Sequence, residues 1–186
     1  MCLLLIYKLI LLQINLKVNN FVSIEKLEDF SFSKVKYYSV KIQDNDENEF
    51  YNFIRRMNEK NEIQDDFEKL FVWLEEIGDR EGAKERFFRH EGAANALPPE
   101  AYLMKAHRIK LDGGLRLYCF RLDEKVVFLF NGDIKTAQKA QDCPNVGKYF
   151  KQANRFAIAI DKLIKENEIV WTSDSSNIIF DSDLTF

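Results

Sequence analysis

Cysteine is scarce in this 186-residue chain, and the three present, Cys2, Cys119 and Cys143, stand far apart with no CxxC or Cys/His spacing. That argues against a disulfide framework and a zinc site, and makes a reducing cytoplasm the expected compartment. Histidine is scarcer still: His90 and His107 are the only two. His90 has no partner at catalytic or metal-ligand spacing and reads as a surface residue, whereas His107 lies near the basic stretch, opposite Arg108 by alternation unless a one-residue bulge reverses it. The chain lacks a Walker loop, a GxGxxG and a GxSxG, so nucleotide-cradling and serine-hydrolase chemistry are without their signatures. It also lacks internal repeats and any carboxylate cluster of metal-ligand type. Its longest apolar run, residues 1–16, is broken only by Lys8, Gln13 and Asn15. This is short of the roughly 20 residues a spanning helix needs. Lys17, Val18, Asn19, Asn20 and Phe21 follow, so no small-residue cleavage site ends the run. Two readings of it stay open: an apolar strand or helix packed on the core, or sequence upstream of the native start that the domain does not need.

What is present is a core-forming composition, 46% hydrophobic, enough for one domain with additions at its ends. The net charge of -3 conceals a strong asymmetry. Residues 101–165 hold 13 Lys and Arg against 6 Asp and Glu, whereas residues 1–100 hold 14 against 19 and residues 166–186 hold none against 5. A basic segment between acidic flanks points to an anionic partner such as nucleic acid, the alternative being charges that mix on a solvated surface.

Residues 34–43, KVKYYSVKIQ, alternate as a strand does. Asp44, Asn45 and Asp46 supply turn and cap chemistry, and Phe50, Phe53, Ile54 and Met57 then recur at helical spacing. Ile63, Phe67, Leu70, Phe71, Leu74 and Ile77 form a longer helical stripe that reads as core, with Gly78 as its expected stop. A third, shorter helix is expected between residues 79 and 97, ended by Pro98 and Pro99. Pro144 is placed to start a closing helix over residues 145–166, with Val146, Phe150, Phe156, Ala157, Ile160, Leu163 and Ile164 on its apolar side. The tail beyond it is acidic and rich in Ser and Asp, open to three readings: a short edge strand, a disordered end, or a segment docked on the domain.

The organising stretch is residues 103–136, expected as three antiparallel strands joined at Asp112-Gly113-Gly114 and Asp123-Glu124. In the central strand Leu115, Leu117 and Cys119 share one face and Arg116, Tyr118 and Phe120 the other. With helices on the Leu115 face, Arg116 would lie on an open face beside an aromatic ring, a combination suited to phosphate and stacked bases. Arg108 and Lys110 project together from the preceding strand, His107 projects opposite them, and Lys135 leaves the last strand. Four cations that converge, Arg108, Lys110, Arg116 and Lys135, suit RNA binding and also RNA cleavage. Attack of a ribose 2'-hydroxyl on the adjacent phosphate builds negative charge that fixed cations stabilise. Basic decoration of an exposed sheet face is the bland alternative.

The order strand, helix, helix, three antiparallel strands and closing helix resembles the RelE/ParE superfamily of bacterial type II toxins, including its HigB-like and phage-derived Gp49-like branch. The strands add to the resemblance through Arg108-Ile109-Lys110, Asp112-Gly113-Gly114, Arg116-Leu117-Tyr118 and Asn131-Gly132-Asp133-Ile134-Lys135-Thr136. It covers roughly residues 34–165 and implies an α+β fold, a small antiparallel sheet packed on N-terminal helices with a closing C-terminal helix. The expected organisation is an apolar extension over 1–33, a RelE-like toxin domain over 34–166 and an acidic tail over 167–186. The resemblance further implies a ribosome-dependent mRNA endonuclease held inactive by a cognate antitoxin, without metal or cofactor and without membrane attachment. Arg116 would stabilise the scissile phosphate, Lys135 the leaving group, and Arg108 and Lys110 would bind phosphates or move protons. Tyr118 and Lys139 would add RNA contacts. The tyrosine that RelE toxins carry just after the last basic strand end is missing from Thr136-Ala137-Gln138-Lys139-Ala140. The alternatives are a ParE-like DNA gyrase inhibitor and a non-catalytic RNA- or protein-binding module of the same fold.

Overall fold

The computed structural model describes residues 21–186, so the apolar run over residues 1–16 lies outside the described residues. The chain begins with an antiparallel hairpin, β1 (Val22–Ser31) and β2 (Lys36–Ile42). Two helices follow, α1 (Glu49–Asn58) and α2 (Gln64–Glu75), the second running into a π-helical turn at Glu76–Glu81. A short hairpin, β3 (Arg89–Glu91) and β4 (Ala94–Leu97), leads into α3 (Ala101–His107). Then come β5 (Leu115–Arg121), β6 (Val126–Ile134), α4 (Gly147–Lys165) and a terminal hairpin, β7 (Ile169–Trp171) with β8 (Ile178–Phe180). Strands β1 to β6 form one mixed sheet in the order β1-β2-β6-β5-β4-β3, parallel only between β2 and β6.

The α+β class and the closing helix stand as expected, but several sequence expectations need correction. Residues 103–110 are not a strand: the backbone is helical over Ala101–His107, and Arg108 closes that helix in a left-handed conformation at φ 60. Alternation of basic residues resembled a strand there, whereas Leu103 and Met104 are buried together on the side of the helix that meets the core. The segment over 79–97 is a 3-10 turn and a hairpin rather than a helix. Gly92, at φ 79, supplies the turn between the hairpin strands that a side chain would disfavour. The sheet is mixed, not wholly antiparallel, and it starts at Val22 inside the expected 1–33 extension.

The fourth correction concerns the open face. Both faces of the sheet are covered. On one side α1 and α2 place Phe50, Phe53, Met57, Phe67, Leu70 and Trp73 against Leu115, Leu117 and Cys119. On the other, α4 places Ala153, Phe156, Ala157 and Ile160 against Tyr118, Phe128 and Phe130. Full burial of each large side chain contributes about 1.5–3 kcal/mol, so both helical layers are integral to the fold. The central strands β5 and β6 are sandwiched, which explains the nearly unbroken apolar run VVFLF at the start of β6. Within the tail, Ile169 and Ile178 are buried and Thr185 bridges Ser23 at the start of β1. Of the three open readings for the tail, docking therefore holds. Gly78 lies inside the π-helical turn rather than ending α2, and its missing side chain leaves room for the ring of Phe32. Among the described residues no helix is long and apolar enough to cross a membrane.

Candidate anion site at the end of the β5–β6 ladder

Strand β5 enters through Gly114, whose φ of 77 makes the sharp turn from the α3 connection. Its pairing with β6 sets Leu115 opposite Ile134, Arg116 opposite Asp133 and Leu117 opposite Gly132. A cation opposite an acid in a ladder normally forms a cross-strand pair. Here the acid is already engaged: Asp133 accepts from Arg56 Nη1 at 2.9 Å and from Lys60 Nζ at 2.6 Å. Arg116 is left half-buried with one hydrogen bond, from Nη1 to the Leu115 carbonyl at 2.8 Å, and its buried Nε has no partner. Among the described residues it has no ion pair. Burial, then the nearby Arg89 charge, depress its pKa, while Glu91 and Glu100 act against that from a distance. Arg89 is held by the Pro98 and Pro99 carbonyls and by Glu100 at 2.9 Å.

The device that diverts Asp133 was not foreseen. Pairing between the parallel strands stops at Tyr38 and Phe128, and α1 packs against both strands beyond that point. Arg56 of α1 donates to Asn52 Oδ1, Asn131 Oδ1, the Gly132 carbonyl and Asp133, and its guanidinium stacks 4.6 Å from the centroid of the Tyr149 ring. Asn131 donates in turn to buried Glu49 at 2.8 Å. Burial pushes the Glu49 carboxyl up, partly offset by Asn131, Arg56 and Lys148. The sequence signal for this network was present in Asn131-Gly132-Asp133, three non-apolar residues ending an apolar strand.

Of the residues expected to carry chemistry, Arg116 and Lys135 lie at the same end of the β5–β6 ladder, tied by the Lys135 amide donating to the Gly114 carbonyl at 2.9 Å. The Lys135 side chain is half-exposed, and Lys139 is exposed on the loop that follows. Arg108 and Lys110 are not on the sheet. Both are exposed on the α3–β5 connection, and Lys110 pairs with Asp112 at 2.8 Å, an exposed contact of small energetic consequence. Tyr118 is 0% exposed beneath α4, edge-on to Phe150 with ring centroids 6.1 Å apart, so it cannot stack on a base. Its hydroxyl is buried without a hydrogen-bond partner. His107 packs on Trp73 and Phe87 on the α2 side, with Nδ1 3.5 Å from Glu76, and is structural.

The loop after Lys135 holds one residue that the sequence did not single out for chemistry. Cys143 Sγ receives a hydrogen bond from the Thr136 amide at 3.4 Å and lies 3.5 Å from the Thr136 hydroxyl. Among the described residues there is no group of three or more His, Cys, Asp or Glu able to hold a metal ion. What the arrangement offers chemically is positive charge: a half-buried Arg116 guanidinium with an unpartnered Nε, and Lys135 at the same end of the ladder. Compared with protein-family models, with curated proteins and with solved structures, the chain has no significant match.

Proposed function

We propose that this chain is a toxin of the RelE/ParE type that acts on messenger RNA at the ribosome, with Arg116 as the contact to the scissile phosphate. One observation carries the reading: a half-buried guanidinium with an unpartnered Nε and no carboxylate of its own, at a sheet end where Lys135 and Lys139 add positive charge. Leaving such a group without an acceptor is costly unless a ligand supplies one, and phosphate suits the planar fork of Arg. Two of the three expected strands, β5 and β6, stand as an antiparallel pair between the paired helices and α4, while the first is replaced by α3.

In the proposed reaction the 2'-hydroxyl attacks its own phosphate, a 2',3'-cyclic phosphate forms and the 5'-oxygen leaves. Arg116 neutralises the phosphoryl oxygens and Lys135 the leaving oxygen. Lys139 contacts the neighbouring backbone, and Arg108 with Lys110 reach only outlying phosphates. The proposed setting is the cytoplasm, with a cognate antitoxin covering the cationic rim.

A second reading is favoured by one specific observation, that Arg108, Lys110 and Tyr118 do not join Arg116 on one open face. It is a module of the same fold that binds without cleaving, whether an RNA, a protein or DNA gyrase. Tightly controlled expression in growing cells separates the two. Wild type is expected to produce mapped mRNA breaks with cyclic-phosphate ends, and Arg116→Ala to reduce them by about 100-fold or more. Intact mRNA with growth arrest and DNA-damage signalling would select the gyrase reading. Equal cleavage by both proteins would remove Arg116 from the chemistry.

A further inference from the structure

At the end of β6 away from Arg116, loops from four parts of the chain meet and hold one another by hydrogen bonds. In the β1–β2 turn the Lys34 and Val35 amides donate to the Gly78 carbonyl of the π-helical turn at 2.9 and 3.1 Å, and the Ser33 amide donates to the Asp79 carboxylate at 2.7 Å. The β5–β6 turn is tied to two neighbours. Its Lys125 carbonyl accepts from the Lys36 amide at 2.7 Å, and its Glu124 carbonyl accepts from the Ala83 amide at 2.8 Å. Lys125 Nζ in turn reaches the Asp174 carbonyl of the β7–β8 turn at 3.4 Å, where the Asp174 carboxylate accepts from the Ser176 amide at 3.0 Å and its hydroxyl at 2.8 Å. Between these loops lies a surface cavity of about 440 Å³. Its walls are cross-linked backbone, so its shape is set before any ligand arrives.

Three lysines line the cavity: Lys34, Lys36 and Lys125. Each is placed by a neutral oxygen. Lys36 Nζ donates to the Phe32 carbonyl at 2.8 Å, Lys34 to the Arg80 carbonyl and Lys125 to that of Asp174. Among the described residues none of the three is in an ion pair. An ammonium has three donors and acts as a point charge, so each lysine keeps both charge and donors for a ligand. The neighbouring acids are engaged elsewhere. Glu81 pairs with Lys84 at 2.7 Å and Arg86 at 3.1 Å, Asp79 serves Ser33, and Asp123 accepts from the Lys125 and Val126 amides. Glu124 alone among the lining acids has no side-chain hydrogen bond or ion pair within the described residues, and its charge opposes an anion.

We propose that this cavity binds a small diphosphate, with Lys34, Lys36 and Lys125 as its cationic contacts and Ser33 and Ser176 at its walls. Its volume falls in the range of small-molecule sites. The lining carries no aromatic and no large apolar side chain to hold a base or a lipid tail, so recognition runs through charge. Cations on separate walls suit two linked phosphoryl groups better than one phosphate. The cavity is separate from the Arg116 site, because β6 runs from Val126 beside Lys125 to Ile134 beside Lys135, about 26 Å at ordinary strand rise. The inference is therefore independent of what Arg116 binds.

The test titrates inorganic diphosphate calorimetrically into the full chain carrying Arg116→Ala, which disables the other cationic site, in phosphate-free buffer at about 0.15 M salt. One saturable phase is expected. Adding Lys36→Met or Lys125→Met removes one charge-assisted contact while keeping most of the aliphatic stem, and each is expected to weaken binding by about tenfold. Glu124→Gln is expected to tighten it several-fold. Lys162→Met removes an exposed cation on α4 and is expected to leave the affinity unchanged. Urea denaturation reports whether each variant folds, and Lys125, being exposed, keeps the test decisive if Lys36→Met does not. The proposal is overturned by no saturable binding, by equal affinities in Lys125→Met and Lys162→Met, or by orthophosphate binding as tightly as diphosphate. Displacement of diphosphate by an RNA oligonucleotide at equal phosphate concentration would also overturn it, assigning the cavity to RNA.

Discussion

Gly132→Ala is expected to disrupt the β5–β6 ladder and to destabilise the protein by about 4 kcal/mol or more, a large part of an ordinary domain's stability. A Cβ on Gly132 would stand 1.8 Å from the Arg116 carbonyl oxygen, 2.8 Å from its carbonyl carbon and 3.0 Å from the Leu117 Cα. All three are backbone atoms of the paired strand, so no rotamer change relieves the contact. Relief requires the central strands to separate where Leu117 and Gly132 face each other, between two covered faces. Urea denaturation of wild type and variant measures the effect, and a midpoint shift corresponding to less than about 1 kcal/mol would defeat the argument.

Arg56→Met is expected to cost about 3 kcal/mol or more, because it removes one partner from a largely buried ionic network and leaves the others short. Asp133 would keep Lys60, but Asn131 and the Gly132 carbonyl would lose their short contacts to Nη2. Methionine still covers part of the Tyr149 ring, so the loss reflects mainly the hydrogen bonds and charge. The freed Asp133 would also stand opposite Arg116, and the variant should weaken any anion bound there. Unfolding measurements report the first effect and salt-dependent RNA or phosphate binding the second. A variant as stable as wild type would show the network to be dispensable.

The same network sets a pH dependence. Burial opposes ionisation of Asp133, but hydrogen bonds from Lys60 and the Ile134 amide, with the Lys60 and Arg56 charges, hold its pKa below the usual carboxylate value. A group depressed on folding contributes stability that is complete above its unfolded pKa, near 4, and is lost as pH falls through the lower folded value. Glu49 has the opposite sign: its raised pKa favours the folded protein below the ordinary glutamate value, an advantage lost as pH rises through the folded one. Asp133→Asn should flatten the acid limb of a stability-pH curve measured between pH 2 and 6. An unchanged acid limb would mean that other carboxylates dominate it.

The parts of this fold that were legible in the sequence are those whose periodicity is set by burial against one neighbour. The stripe Phe50, Phe53, Met57 and the run from Ile63 to Leu74 became α1 and α2 because each helix has one face on the sheet. The same holds for α4, whose expected apolar side meets the second cluster. Residues 101–107 misled because in seven residues a helical face and a strand face differ by one or two positions, and basic residues carry no periodicity of their own. Tyr118 was assigned to an open face because alternation sorts side chains into two sets without saying what covers each. Arg116 was found because a charge within an apolar strand is conspicuous. Its lack of a carboxylate partner was not legible, since it depends on Arg56 and Lys60 reaching Asp133 from α1 and the turn after it.

The parallel pairing of β2 with β6 also bears on how the chain folds. Lys36 meets Val126 across a loop of about 90 residues, and closing it costs about 4 kcal/mol of chain entropy before any long-range contact repays it. The strand that completes the sheet is one of its two central ones, β6, the last of the six to be synthesised. Until residue 134 is available, the β1–β2 hairpin and the β3–β4–β5 sheet lack the strand that joins them, and the inner edges of β2 and β5 stand unpaired. Edge-to-edge association of the incomplete chain and slow, concentration-sensitive refolding are the expected consequences of this topology rather than of low stability.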